Sequence, residues 1–398
     1  LHECGYEWPN YLGLTIKSGD VIIKRCNITR NFFGIVLDEV RGARIEDCII
    51  AYNERPGIEC ADSLIYIRGS TFAYNCYGVR IYWSTAFVES NQFIENKAYG
   101  LDIGASSGRI INNTFLKDGL DIGGALHHYT HLQVENNTIN GKPVLYIVGE
   151  HDIEITGSIG CLILVNSTDV TINELNITNT DLGIRIAYCH HICISNSYIE
   201  ITMEGLGLIN SNNILVLNNT IAGGLWGDIG VGGVLDVIII NNTLLKAGDA
   251  IDIYDSCFLQ IMNNNISDCS YAGIAVWTSH DMYITNNIIH DVKSWWTGGS
   301  YNIVMEDNTI MGREEAHDFE LSGVKNVTIS RCAISNFSEL VIKGASDLDI
   351  CNTVLASLYY FWIEETKQLV VRNCSITQCH GTRLLNSYAT FYDCRIYN

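Results

Sequence analysis

Glu59, Arg80 and Asp102 stand 21 and 22 residues apart, a carboxylate, a guanidinium and a carboxylate at nearly one interval. Stacked on one surface, such a trio shifts each member's proton affinity and suits acid–base chemistry on a sugar acid. The same trio also reads as a ladder of surface ion pairs that relieves like-charge stacking. Asp252 is a fourth candidate, within Gly248-Asp-Ala-Ile-Asp-Ile-Tyr-Asp255. Paired carboxylates there would act as acid and base on a glycoside. Tyr82, Tyr254 and Trp277 follow Arg80, Asp252 and Ala275 by two residues each, and their rings suit stacking on sugars. Trp295 and Trp296 are placed in a loop before Gly298-Gly299.

Metal chemistry has weaker support. His127, His128 and His131 offer imidazoles for copper or zinc, though histidines of an irregular surface loop read the same way. Cys189-His-His-Cys193 has ligand types, but strand alternation would split neighbouring side chains between faces. No resident metal and no other cofactor is expected. Phosphate-binding loops, serine-hydrolase elbows and calcium repeats are absent from the sequence.

These residues need elements to position them, and the chain supplies one element many times. The pattern apolar, polar, polar, special position, any residue, apolar recurs about every 22 residues, as in Ile110-Ile-Asn-Asn-Thr-Phe115 and Val134-Glu-Asn-Asn-Thr-Ile139. The special position is Asn at 91, 113, 137, 219, 242, 264, 287 and 308, and Cys at 26, 48, 332, 374 and 394. Stacked asparagines at an inward turn bond one another and the backbone. About 13 residues upstream lies a small residue followed by alternating apolar positions, as in Gly78-Val-Arg-Ile81 and Gly100-Leu-Asp-Ile103. That alternation marks a strand with one buried face. A period this short lacks room for a helix, so each strand must pair in parallel with its copy one period on. The sequence therefore predicts an all-β, single-stranded parallel β-helix of about 17 coils, continuous over residues 1–398. The step from 137 to 175 is 38 residues, so an irregular coil or insertion is expected around 138–165. The coils run from near Leu14 to Phe391–Tyr397 without an evident polar cap, which would leave strand edges for end-to-end pairing.

Composition narrows the class. The net charge of −20 excludes a nucleic-acid binder, which needs clustered Lys and Arg. No apolar stretch reaches membrane-spanning length. Fifteen cysteines is an odd total, with burial as small hydrophobes the commoner fate. Disulfides are the second reading, with Cys4, Cys26, Cys48, Cys374 and Cys394 as links to neighbouring molecules. Of eleven Asn-x-Ser/Thr sequons, Asn27, Asn166, Asn176, Asn326, Asn336 and Asn373 are candidate glycosylation sites. Together these features point to a secreted or cell-surface location.

The repeat resembles those of right-handed parallel β-helices of the pectin-lyase-like superfamily. The segment Asn137-Thr-Ile-Asn-Gly-Lys-Pro-Val-Leu-Tyr-Ile-Val148 is similar to NosD-like and archaeal surface β-helix proteins. That resemblance implies a fold and admits several functions. The first is a surface-layer, sheath or filament subunit that self-associates through coil ends or sides. The second is a polysaccharide lyase, hydrolase or epimerase. The third is a module that binds glycan or metal. In Gly248–Asp255 the second Asp of the hydrolases' pair is Ala250, and their Gly-His-Gly and Arg-Ile-Lys motifs are missing, which counts against hydrolysis.

Overall fold

The Asn-Asn-Thr repeat is an instruction to the backbone. Its first Asn adopts positive φ, 57° at Asn112, 55° at Asn218 and 57° at Asn241, a region that Asn enters more readily than other side-chain-bearing residues. The turn this makes aims the second Asn inward. The Thr then opens a short strand, as in Thr114–Leu116, Thr220–Ala222 and Thr243–Leu245.

Repetition of this turn builds a computed structural model that describes residues 12–397. Among them are fifty strands and one helix, Leu126–Thr130, arranged in about 17 turns of parallel β-structure. No helix among the described residues is long and apolar enough to cross a membrane. The chain divides into two compact units. Of the described residues, the first holds 12–148, 159–165 and 179–182, and the second holds 149–158, 166–178 and 183–397.

In the first unit each coil contributes a strand to each of three parallel sheets. The first sheet includes Phe33–Asp38, Ile58–Ala61, Val79–Tyr82, Leu101–Gly104 and Leu120–Gly123. The second includes Leu64–Arg68, Thr85–Glu89 and Ser107–Ile111. The third includes Thr71–Ala73, Gln92–Ile94 and Thr114–Leu116. The register is direct, with Ile58, Val79 and Leu101 aligned, so like side chains stack between coils. Phe72, Phe93 and Phe115 form one such interior column, with ring centroids 5.2 and 4.7 Å apart. The second unit repeats the scheme, for example through Asp249–Tyr254, Ala272–Trp277, Ser294–Gly298 and Phe319–Ser322.

Polar ladders hold the corners. Asn242 donates its backbone N–H and its Nδ2 to Asn264 Oδ1, at 2.9 and 3.1 Å, and Asn264 repeats both bonds to Asn287. A second ladder in the first unit runs through Asn31, Asn53, Asn75, Asn96 and Asp118. A third runs through the hydroxyls of Ser63, Ser84 and Ser106. These ladders satisfy backbone donors that a buried turn would otherwise orphan.

The long step after Asn137 has a local cause. Asn140 and Gly141 carry φ of 51° and 78°, the signature of a two-residue hairpin turn. Thr138–Ile139 consequently pairs antiparallel with Lys142–Val148, which then pairs in parallel with Cys161–Val165.

Candidate functional site

Glu59, Arg80 and Asp102 occupy the outward face of the first sheet, in register on successive coils. Asp121 extends the row on the next strand, opposite Asp102. Each sits one residue from a fully buried Ile, Val or Leu, so period-2 alternation fixes its outward aim. Arg80 bridges the trio. Its Nη1 lies 3.7 Å from Glu59 Oε2, and its Nε lies 3.4 Å from Asp102 Oδ2. Arg80 Nη2 donates to Tyr82 Oη at 3.1 Å, and Tyr82 Oη donates to Asp102 Oδ2 at 2.6 Å. The chain of donors therefore runs from Arg80 through Tyr82 and ends on Asp102. Tyr77 supplies a ring 4.6 Å beneath the guanidinium.

Gly104 makes this arrangement possible. A Cβ at Gly104 would lie 2.5 Å from the Tyr82 ring, so the bare backbone lets the ring lie flat over the next coil. The phenol is thereby laid beside the Asp102 carboxylate.

The site is half-buried, with 29% of the Glu59 side chain, 31% of Arg80 and 13% of Asp102 exposed. Burial, with the charge of Asp121, pushes Asp102 up to about 6, against the lowering effect of Tyr82 and Arg80. Burial also raises Glu59, with Asp102 adding to the rise and Arg80 opposing it. Glu59 Oε2 and Arg80 Nε are shielded from solvent yet have no hydrogen-bond partner among the described residues. Both atoms are instead engaged in ion pairs, Glu59 Oε2 with Arg80 Nη1 and Arg80 Nε with Asp102 Oδ2.

The other sequence candidates are dispersed. Asp252 and Tyr254 lie on the corresponding face of the second unit, where burial raises both. The Tyr254 ring lies over Gly232, as Tyr82 lies over Gly104. Near them Arg185 donates to Glu204 at 2.8 Å, with 8% and 16% of the two side chains exposed. Glu204 lies against Gly207 and Gly230, where a Cβ would meet its Oε1 at 2.6 and 2.9 Å. Sequence reasoning missed Glu204, although the paired glycines were a signal that a neighbouring side chain lies across them. It also missed Asp121, because the coil from Asp102 is only 19 residues long.

One placement is corrected. Trp295 and Trp296 lie within the strand Ser294–Gly298, and strand alternation sends them to opposite faces. Trp295 is fully buried, while Trp296 is half-exposed. The strand forms because the backbone pairs with Phe319–Ser322 despite a register shift against the preceding coil.

His127 and His128 lie on the short helix Leu126–Thr130, and His131 is its C-cap. His128 and His131 border a groove of about 780 Å³ with Trp83, Arg41 and Asp62. His128 Nδ1 accepts the Ala125 N–H at 3.0 Å, and burial and then His127 lower its proton affinity. Among the described residues no group of three or more His, Cys, Asp or Glu side chains converges to hold a metal ion.

All fourteen described cysteines are free thiols. Burial pushes Cys60 and Cys189 up to about 11, and Cys161 up to about 12. Of the proposed intermolecular links, Cys26 is exposed and Cys394 half-buried, whereas Cys48 and Cys374 are buried. A link through either buried thiol would require its coil to open. Cys4 lies outside the described residues. The six candidate sequon asparagines, Asn27, Asn166, Asn176, Asn326, Asn336 and Asn373, are all exposed.

A chain of stacked parallel coils with a row of charged side chains on one outward face is a β-solenoid, and comparison supplies its family. The right handed beta helix region model matches residues 1–115 and 160–310, and the chain belongs to that family. A second model, described as periplasmic copper-binding protein (NosD), matches residues 259–398. The segment 137–148 lies outside both matches. No curated protein matches the chain. Among solved structures it is similar to the A-module of mannuronan C-5 epimerase AlgE4 from Azotobacter vinelandii, at 11% identity and TM-score 0.32 over 95% of this chain and 91% of that one. It is similar to a hyperthermoactive exopolygalacturonase from Thermotoga maritima, at 12% identity and TM-score 0.35 over 90% and 84%. It is also similar to PfbA, a surface adhesin of Streptococcus pneumoniae, at 11% identity and TM-score 0.32 over 87% and 83%.

Copper would need converging imidazole, thiolate or thioether ligands. Within residues 259–398, His280 Nδ1 lies 2.8 Å from Asp281 and His290 Nδ1 lies 2.8 Å from Asp291. Cys269, Cys332, Cys351 and Cys374 are buried one by one in different coils. With no convergent cluster among the described residues, these residues do not fit a resident copper ion.

Proposed function

We propose that this protein works outside the cytoplasm and performs proton transfer on a polysaccharide at the outward face of its first sheet. The observation that carries the reading is the directed chain Arg80–Tyr82–Asp102, with Asp102 pushed up to about 6 by burial and by Asp121. Asp102 is the general base, because it is the terminal acceptor of that chain. Tyr82 orients it through the bond from Oη, and the proton taken from the substrate stays on the Asp102 carboxylate. Arg80, paired with Glu59, holds the Asp102 carboxylate in place. The periplasmic description of the NosD model and the exposed sequons support an extracytoplasmic setting.

The test is a screen of acidic and neutral polysaccharides for turnover by the whole chain and by Asp102→Asn. Turnover that Asp102→Asn lowers about 100-fold or more is expected, the scale of a lost general base. Equal turnover by both proteins would refute this siting.

A second reading is a surface-layer, sheath or filament subunit that associates with copies of itself. It is favoured by Tyr52 and Tyr74, which present stacked rings to solvent at 56% and 40% exposure, since aromatics are enriched where proteins meet. Electron microscopy of native material with and without reductant separates the two readings. Ordered filaments or sheets would favour the structural role, and discrete particles in both conditions would remove it.

A further inference from the structure

The second unit carries an aromatic surface that the chemistry above does not use. Trp277 and Trp296 stand on successive coils of one sheet, with ring centroids 6.3 Å apart and planes 24° from parallel. Trp277 is 44% exposed. A Cβ at Gly298 would lie 2.7 Å from its Cζ3, so the absence of a side chain lets the indole lie down on the next coil. Trp296 is pinned by its Nε1, which donates to Ser294 Oγ at 2.8 Å. Neither ring is needed to fill the core, because Trp295 does that, fully buried and stacked on Phe319 at 5.2 Å.

The rings border a groove of about 300 Å³ whose other lining residues are Gly298 and Gly299 with polar Glu320, Thr278, Thr297 and Ser322. No Lys or Arg lines it. Glu320 is in register with Trp296, and Ser322 with Gly298. A flat, immobilised apolar surface edged by hydroxyls and one carboxylate matches the two faces of a pyranose ring. The sugar C–H face stacks on the indoles and its hydroxyls bond the rim. The Glu320 carboxyl in the groove wall disfavours a uronate, whose own carboxylate would meet a like charge.

We propose that Trp277, Trp296 and Glu320 form a binding platform for a neutral glycan chain. The assignment does not rest on the Asp102 chemistry proposed above.

The test titrates the whole chain with cellohexaose and mannohexaose as neutral probes and hexagalacturonate as the acidic one. Binding is read by tryptophan fluorescence and calorimetry. Saturable binding of at least one neutral probe is expected, tighter than that of hexagalacturonate. Trp277→Ala weakens it about tenfold, the scale of one lost aromatic stacking contact. Gly298→Ala weakens it while keeping both indoles, because the added methyl lifts the Trp277 ring from its seat. Tyr283→Ala, which removes an exposed ring outside the groove, binds as the parent does, so the loss is specific to this surface. Three results would overturn the platform: no saturable binding of either neutral probe, neutral binding unchanged in Trp277→Ala, or tighter binding of hexagalacturonate that Trp277→Ala weakens. Loss of self-association in Trp277→Ala, with no effect on sugars, would assign the surface to a second copy of the chain and overturn it equally.

Discussion

At the scale of the residue, Asp102 is set by opposing neighbours. Burial and Asp121 raise it, and Tyr82 and Arg80 lower it. Tyr82→Phe removes the hydrogen bond that favours the carboxylate. The acid limb of the turnover profile, expected near pH 6, then moves upward. Asp121→Asn removes a like charge and moves the same limb downward. Both shifts are measured from the pH dependence of kcat/KM, and unchanged limbs in both variants would detach Asp102 from the chemistry. Residue types and spacing were legible here, since a period near 22 and alternation by two place Glu59, Arg80 and Asp102 in one row. The Tyr82 bond was not legible, because it depends on Gly104 in the following coil.

At the scale of the element, the ladders make two predictions. Asn264→Ala leaves the Asn242 backbone N–H without its acceptor, while Nδ2 keeps its bonds to the Val216 and Ile240 carbonyls. An orphaned buried donor costs roughly 1–3 kcal/mol, so a loss of about 2 kcal/mol or more is expected in denaturant unfolding. Asp118 is the second case. It occupies a ladder position otherwise filled by Asn and is fully buried. Burial, and then the charge of Asp181, holds its carboxyl well above the ordinary value of 3.8. The folded state therefore binds this proton more tightly than the unfolded state does. The stability it contributes is fully present below the unfolded value and is lost as pH rises through the folded one. Asp118→Asn supplies a neutral amide, so it should raise the melting temperature at neutral pH and flatten its decline above about pH 4. A melting curve with the parent's pH slope would contradict this. The Asn91–Asn137 ladder was legible in the sequence because its occupant repeats. The Asn31–Asp118 ladder was not singled out, because it falls in coil turns whose flanking residues vary.

At the scale of the whole molecule, stacking in register turns one-dimensional repetition into columns of like side chains. Interior columns such as Phe72–Phe93–Phe115 stabilise adjacent coils. Outward columns collect chemistry from residues about one coil apart, which is how both the acid–base row and the indole pair arise. The corollary is that inserting one residue inside the coil between Arg80 and Asp102 should break the row. Turnover would fall as far as in Asp102→Asn, even though every proposed catalytic side chain remains.

The sequence alone determined the coil, its inward asparagines and the outward placement of Glu59, Arg80, Asp102, Asp252, Tyr82, Tyr254 and Trp277. Period and alternation are local properties that each repeat carries in itself. Only the tertiary structure decided that Asp121 lengthens the row, that Glu204 lies beside Arg185, and that Trp295 turns inward while Trp296 joins Trp277. Those outcomes depend on which residue of the neighbouring coil lies beneath each side chain. That residue is set by coil length and by register shifts, such as the one between Ala272 and Ala275, and no single repeat contains it.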